Sequence, residues 1–277
     1  MTLNIAIALK QAHQKLLSFS DTPLLDAEVL LADLLQVSRS YLFTFPEREL
    51  TVAEITDFEK RIEQRQKNIP IAYIIGHKEF WSLDLIVTRD TLIPRPETEL
   101  LVECVLQQIA GPKKKVADLG TGSGAIALAL AHERPSWEIH ATDASFEALE
   151  IAKLNAARLK ISNIIFHQGS WFAAFSFDEK FDVIVSNPPY IAPDDPHLES
   201  LNDEPRSALT ADENGLKELR HIIIHAKNYL QPGGHLLLEH GFMQANEIRN
   251  IFANIGYSDI NTYQDLAGLD RVTGGRI

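Results

Sequence analysis

The apolar run Phe181-Asp182-Val183-Ile184-Val185-Ser186 leads directly into Asn187-Pro188-Pro189-Tyr190. The two prolines hold the backbone rigid there and offer no N–H, so the segment presents oxygen acceptors without competing donors. A planar NH2 group, an amide or an exocyclic amine, can donate its hydrogens to the Asn187 side-chain oxygen and the Pro188 carbonyl while its flat face stacks on Tyr190. The nitrogen is then oriented with a lone-pair face free. Asn-Pro and Pro-Pro also punctuate ordinary loops, so these residues alone are compatible with a plain strand-to-loop turn.

A second motif lies upstream. Lys115-Val116-Ala117-Asp118-Leu119 reads as a short buried strand, followed by Gly120-Thr121-Gly122-Ser123-Gly124 and the helical run Ala125 to Ala131. A glycine-rich turn between strand and helix lets a ligand approach the backbone and aims helix N-terminal N–H groups at it. Gly120, Gly122 and Ala125 also satisfy the dinucleotide pattern, but Asp118 and Gly124 complete the string Asp-x-Gly-x-Gly-x-Gly, a form associated with S-adenosylmethionine. A second strand, Trp137 to Thr142, ends at Asp143, which can accept from both hydroxyls of a ribose. The Asn-Pro-Pro-Tyr segment has no role in hydride transfer and an evident one in methyl transfer to nitrogen, which favours the methyl donor.

These strings, with Leu92-Ile93-Pro94-Arg95-Pro96-Glu97-Thr98-Glu99 and Leu236-Leu237-Leu238-Glu239-His240-Gly241, resemble the release factor glutamine methyltransferases, the HemK-type enzymes, in order and spacing over nearly the whole chain. Asp26-Ala27-Glu28, Pro70 to Gly76 and Asp270-Arg271-Val272 are similar to that family too. The resemblance implies methylation of the side-chain amide nitrogen (N5) of the glutamine in the Gly-Gly-Gln tip of class 1 peptide-chain release factors, with S-adenosylmethionine as donor and S-adenosylhomocysteine as product. It implies Gly120, Thr121, Gly122, Ser123 and Gly124 at the amino-acid end of the cofactor, Asp143 at its ribose, Trp171 near its adenine, and Asn187 beside it. Asn187, Pro188, Pro189 and Tyr190 would hold the substrate, with Asn187 and Pro188 orienting the amide and Tyr190 stacking on it. Ser170 stands where the family carries an aspartate before the tryptophan. Residues 197–205 are about two shorter than the family loop and lack its Gly-Asp-Val-Arg-Phe string.

An amide nitrogen is a poor nucleophile because its lone pair is delocalised into the carbonyl. Acceptors on both NH2 hydrogens raise electron density on nitrogen, and positioning alone is worth about 7–11 kcal/mol in favourable cases. The same oxygens ease the positive charge that reaches nitrogen in the transition state. No residue is identifiable as a general base.

These motifs need a parallel sheet to carry them. From Pro96 onward strand alternates with helix, which predicts a Rossmann-like α/β domain; the resemblance implies the seven-stranded sheet of a class I methyltransferase. His235 to Glu239 and Gly256 to Tyr263, around a helix Met243 to Asn254, can supply its remaining strands. In such sheets ligands collect beyond the strands' carboxyl ends. Helical periodicity over Leu3 to Phe19, Leu24 to Leu35 and Val52 to Lys67, with starts at Asp21 to Pro23 and Thr51, predicts a small all-helical domain first. Phe80 to Val87 reads as a strand or hairpin. The expected organisation is a release-factor-docking helical domain over 1–75, a hairpin linker over 76–95 and a methyltransferase domain over 96–277.

Composition fits a soluble enzyme: 277 residues, 45% of them hydrophobic, with a mean hydropathy of -0.08. No apolar stretch approaches the ~20 residues that span a bilayer. Met1 to Lys10 has no basic region ahead of its apolar residues, so no signal peptide is expected and the chain is read as a cytoplasmic monomer. Net charge is -12, of which residues 1–80 carry only -2. An acidic catalytic domain suits a basic protein partner and argues against binding a phosphate backbone. That weighs against the main rival, an adenine-N6 methyltransferase acting on a flipped base. Glutamine methylation of another protein and a cofactor-binding module without catalysis are further alternatives. The lone Cys104 is expected as a buried thiol, Lys113-Lys114-Lys115 as a solvated strand entrance, and Glu97 and Glu99 as helix-start charges, with Arg95 able to reach the site rim. Asp194, Asp195 and Glu199 are expected in solvent. The histidines are read as dispersed, without a two-His helical pair, so no metal site is expected.

Overall fold

A computed structural model of the chain describes residues 3–277; residues 1 and 2 of the expected helical domain lie outside the described residues. The chain divides into two compact units, Met1–His77 and Lys78–Ile277.

The first unit holds helices α1 (Ile5–Leu16), α2 (Pro23–Leu35), α3 (Arg39–Thr44), α4 (Val52–Gln66) and α5 (Ile71–Ile75). Asn4 caps α1 by accepting from the Ile7 N–H, which moves the start in from Leu3. Thr51 and Glu54 form a reciprocal capping box on α4, as the Thr51 start requires. The short α3 and α5 were not predicted, because neither is long enough to display a period. Ile5, Leu16, Leu30, Leu31 and Phe58 centre the core of this unit.

Strand β1 (His77–Phe80) and β2 (Leu83–Ile86) form the hairpin, joined at Trp81 and Ser82, both of positive φ. Then follow α6 (Glu99–Gln108), β3 (Lys115–Leu119), α7 (Ala125–Glu133), β4 (Glu138–Asp143), α8 (Phe146–Leu159), β5 (Ile164–Gln168), β6 (Phe181–Ser186), α9 (Lys217–Ala226), β7 (Leu230–Glu239), α10 (Ala245–Ile255), β8 (Ser258–Gln264) and β9 (Asp270–Arg276). The seven-stranded sheet has the order β5-β4-β3-β6-β7-β9-β8, parallel except for antiparallel β9, which pairs with β7 and β8. The class I methyltransferase architecture is therefore present. β9 was not among the predicted strands; its Thr273-Gly274-Gly275 centre lacks β-branched alternation.

Both faces of the sheet are covered, so its central strands are apolar throughout. Val183 and Val185 of β6 face one core with α6 and α7, while Phe181 and Ile184 face the other with α9 and α10. Cys104 is buried in the first of these cores, and burial pushes its thiol up to about 12, which makes it inert. The lysine run is not a free strand entrance: Lys114 Nζ donates to Asp182 at 3.1 Å and Lys115 pairs with Glu179. Glu99 stands in the first turn of α6, as expected, and there also accepts from the Trp81 backbone N–H at 2.7 Å, which ties the hairpin to α6.

Candidate functional site

Beyond the carboxyl ends of β3, β4 and β5 lies a cavity of about 310 Å³, lined by Gly120, Gly122, Asp143, Trp171, Asn187 and Glu218 among others. Adjacent strands of one parallel sheet end here, so loops far apart in sequence converge. The Asp143 carboxylate accepts from the Gly122 N–H at 2.8 Å and the Ser145 N–H at 2.9 Å, which joins the two loops and leaves lone pairs for a ligand. Burial raises its pKa. Trp171 Nε1 donates to Glu218 at 2.8 Å. Ser170 is exposed at the cavity wall. Thr121, Ser123 and Gly124 are buried in the turn rather than among the lining residues.

Beneath the turn, Asp118 Oδ2 accepts from the Thr121 hydroxyl at 2.6 Å and from the Ala127 N–H at 3.2 Å. Its Oδ1 is buried without a partner. Burial pushes this carboxyl up to about 7, with the Asp143 charge adding to the shift. A carboxyl with a raised folded pKa holds a proton between its ordinary value near 3.8 and about 7 that the unfolded chain has lost, so its contribution to stability falls as pH rises through that window. In the ligand-free protein, Asp118→Asn is expected to gain on wild type by a few degrees in Tm between pH 4.5 and 7.5. Parallel thermal unfolding at these pH values is the check; a constant difference would mean that Asp118 is ionised throughout.

A second cavity, about 610 Å³, is lined by Arg95, Pro188, Tyr190, Met243 and Arg271 among others, and shares Asn187, Leu92 and Ala208 with the first. The two cavities thus meet at Asn187. Its Nδ2 donates to Thr98 Oγ1 at 3.1 Å, an assignment that leaves Oδ1 as the free end of the amide. Tyr190 is held at both ends. Its carbonyl accepts from Gln244 Nε2 at 3.0 Å, while its hydroxyl donates to Glu239 Oε1 at 3.3 Å. Burial and the Glu239 charge keep that hydroxyl protonated by raising its pKa.

The shortened segment crosses between the cavities: Ile191 bridges to Thr210, and buried Glu204 accepts from the Ile93 N–H at 3.1 Å and pairs with Arg95. Arg95 therefore does reach the rim, fixed by a carboxylate that was not singled out from the sequence. Asp195 is exposed, as expected, and lines the second cavity, where its carboxylate also accepts from the His197 N–H at 2.8 Å. The reading of dispersed histidines fails at two places: His221 and His225 stand one turn apart on α9 with ring centroids 4.4 Å apart, and His140 Nδ1 of β4 lies 2.9 Å from His167 Nε2 of β5. No group of three or more metal-ligating side chains occurs among the described residues.

Residues 96–203 match the family model of the methyltransferase small domain, and residues 8–76 that of the PrmC N-terminal domain. Release factor glutamine methyltransferases of Vibrio cholerae and Aliivibrio fischeri are 50% and 48% identical to the chain, each over 100% of it and 98% of the relative. That of Coxiella burnetii is 49% identical over 99% of both chains. The chain belongs to the release factor glutamine methyltransferases. Among solved structures, a methyltransferase from Pyrococcus furiosus is 20% identical with a TM-score of 0.55, over 80% of this chain and 98% of that one. The hMettl16 catalytic domain in complex with a MAT2A 3'UTR hairpin is 15% identical, TM-score 0.58, over 81% and 80%. These two likenesses show the fold.

This methyltransferase is an S-adenosylmethionine-dependent enzyme. The first cavity fits that cationic donor on its own chemistry. Asp143 and Glu218 supply acidic acceptors, the orphaned Asp118 Oδ1 lies beneath the turn, and a Cβ built on Gly122 would meet nothing within 4 Å. Among the described residues no helix is long and apolar enough to cross a membrane.

Proposed function

We propose that this enzyme methylates the side-chain amide nitrogen of a release factor glutamine, the one in the Gly-Gly-Gln tip of class 1 factors, in the cytoplasm and as a single chain. The observation that carries the reading is the Asn187 amide, tethered through its nitrogen to Thr98 at the junction of two cavities, with its oxygen left over. S-adenosylmethionine, when bound, supplies an electrophilic methyl on a sulfonium centre. Gly120 and Gly122 offer it close backbone approach, Asp143 takes its ribose hydroxyls and Trp171 borders its base. From the second cavity the glutamine NH2 donates one hydrogen to Asn187 Oδ1 and one to the Pro188 carbonyl, with Tyr190 beneath the amide plane. Thr121, Ser123 and Gly124 act indirectly by shaping the turn, and Pro189 by stiffening the clamp. Arg95 and Arg271 at the cavity wall suit the carbonyl oxygens of a bound peptide.

The helical unit, over 1–75, is proposed as the docking domain for the release factor, and exposed Leu17 and Phe43 support that role. A net charge of -12 supports a basic protein partner over nucleic acid. Incubating the enzyme with S-adenosylmethionine and a release factor, with duplex and single-stranded DNA in parallel, tests the reading by intact and peptide mass. One methyl on the Gly-Gly-Gln glutamine is expected; methyl on adenine, or none on the factor, would overturn it.

The cofactor assignment gives its own prediction. Asp143→Asn removes the charge but keeps one acceptor, and a hydrogen bond to a charged group contributes about 1.5–3 kcal/mol. Affinity for S-adenosylmethionine is expected to fall roughly 10- to 100-fold. Calorimetric titration reads this directly, and unchanged affinity would remove Asp143 from the cofactor site.

A further inference from the structure

Gln244 stands immediately before α10, in the turn that follows β7, and its side-chain amide makes three hydrogen bonds to backbone. Its Oε1 accepts from the Gly241 N–H at 2.9 Å. Its Nε2 donates to the Tyr190 carbonyl at 3.0 Å and to the Asn214 carbonyl at 3.3 Å. A side-chain amide can in general sit either way round, and the polarity of its partners decides which. Here all three partners agree, because an N–H only donates and a carbonyl only accepts. One side chain thus gathers three segments far apart in sequence: the end of the clamp, the turn over 212–215 and the turn after β7. Tyr190, Asn214, Gly241 and Gln244 itself all line the second cavity.

The surroundings of this amide are shaped to it. Glu213 and Asn214 hold left-handed backbone angles, φ +56° and +55°, which persist in non-glycine residues only where neighbours enforce them. The turn so formed delivers the Asn214 carbonyl to Gln244 and sets Gly215 against the Tyr190 carbonyl, where no side chain would fit. On the other side Gly241 runs beside the Tyr190 ring, since a Cβ there would stand 3.7 Å from Tyr190 Cδ2. Pro188 and Pro189 stiffen the clamp but have no N–H with which to bond it to the scaffold. Its placement therefore falls to its two ends, Asn187 on Thr98 and Tyr190 on Gln244 and Glu239.

We propose that Gln244 is a positioning residue for methyl transfer: by donating to the Tyr190 carbonyl and accepting from the Gly241 N–H, it sets the height of the Tyr190 ring on which the substrate amide stacks. The proposal rests on the glutamine-methylating reading for its consequence in turnover, but its structural half, the tether on the Tyr190 carbonyl, stands apart from any substrate. Neither Tyr190 nor Gln244 lines the first cavity. Loosening the tether therefore acts on the approach of the amide and leaves donor binding in place.

Gln244→Glu keeps the length and the oxygen that faces Gly241 but sets an acceptor against two carbonyls, and Gln244→Met keeps the length and removes all three bonds. Three readouts are taken on the full chain: kcat and KM for a Gly-Gly-Gln peptide at saturating donor, the dissociation constant of S-adenosylmethionine, and solvent exchange of the Ile191 backbone N–H followed by NMR without substrate. That N–H belongs to the same peptide unit as the Tyr190 carbonyl and donates to the Leu209 carbonyl at 3.0 Å, so freeing one side of the unit loosens the other. Both variants are expected to lower kcat roughly 10- to 100-fold and speed Ile191 exchange at least about 10-fold, while KM and donor affinity move less than about 3-fold. If Gln244→Glu does not fold, Gln244→Met carries the test unaided. Wild-type kcat in either variant, or unchanged Ile191 exchange, would overturn the proposal. So would a fall in donor affinity as large as the fall in kcat, which would mark a general loosening of the domain. A wild-type enzyme that failed to methylate the peptide would refute the glutamine reading, while Ile191 exchange in the variants would still decide the tether.

Discussion

Asn187→Ala is expected to lower kcat for the Gly-Gly-Gln peptide by roughly 10²- to 10³-fold, or about 3–4 kcal/mol in barrier, the usual cost of deleting one preorganised polar partner of a transition state. Affinity for S-adenosylmethionine should change only a few-fold, because Gly120, Gly122, Asp143 and Trp171 remain in the first cavity. The asymmetry follows from where Asn187 sits. It lines both cavities, yet its bonded end points to Thr98 and its free oxygen is matched to an NH2 donor. Without that oxygen the amide keeps the Pro188 carbonyl and the Tyr190 face but can rotate about the line joining them. Near-attack geometry is then a minor population and the developing positive charge loses one acceptor. Little stability should be lost, since Asn187 is half-buried and deletion leaves only the Thr98 hydroxyl short of a donor. Steady-state kinetics at saturating donor, paired with calorimetry, separates the outcomes. Wild-type kcat would remove Asn187 from the chemistry. A large loss of donor affinity with unchanged kcat would make it a cofactor ligand alone.

The parts of this site that could be read from the chain are those whose function and sequence are contiguous. Gly120 to Gly124 between strand and helix, Asp143 at a strand end and Asn187 to Tyr190 each announce themselves within a few residues, because local backbone demands select glycine and proline there. Apolar runs gave the central strands β3 and β6 for the same reason: burial on both faces is written into them, whereas β9 carries no such run. Thr98, Glu204, Glu239 and Gln244 were illegible in that way. Thr98 meets Asn187 across 89 residues, Gln244 meets Tyr190 across 54, and Glu204 meets Ile93 across 111. Nothing local distinguishes a glutamate that ends a strand in solvent from one that ends it beneath a clamp. The His221 and His225 pair, by contrast, was present in the spacing and was passed over. Glu99 was legible only in part: its place as an acidic residue in a first helical turn is as expected, while the bond it accepts from the Trp81 N–H of the hairpin is not written locally.

Gly215→Ala should be the most damaging single methyl in the second unit, at about 2–5 kcal/mol of stability with a fall in kcat of at least 10-fold in whatever folds. Gly215 follows Glu213 and Asn214 in a turn of successive positive φ angles, its own being +84°. That conformation alone costs an L-residue about 1–2 kcal/mol. The larger effect is contact. A Cβ there would stand 2.0 Å from the Tyr190 carbonyl oxygen, 2.7 Å from its carbon and 2.8 Å from Gln244 Nε2. A clashing side chain can change rotamer, whereas a carbonyl can retreat only if the backbone of the clamp moves with it. The Gln244 amide that donates to that carbonyl, and whose oxygen accepts from the Gly241 N–H at 2.9 Å, must shift as well. Gly256→Ala supplies the comparison. That glycine also has positive φ, +93°, but its Cβ would meet nothing within 4 Å, so it reports backbone strain without the clash. Denaturant unfolding of both variants is expected to place Gly215→Ala below Gly256→Ala by at least about 1 kcal/mol. Turnover per folded molecule should drop only in the former. Equal destabilisation with unimpaired turnover in both would show that the Tyr190 backbone tolerates displacement, and the clamp would then owe its geometry to the prolines alone.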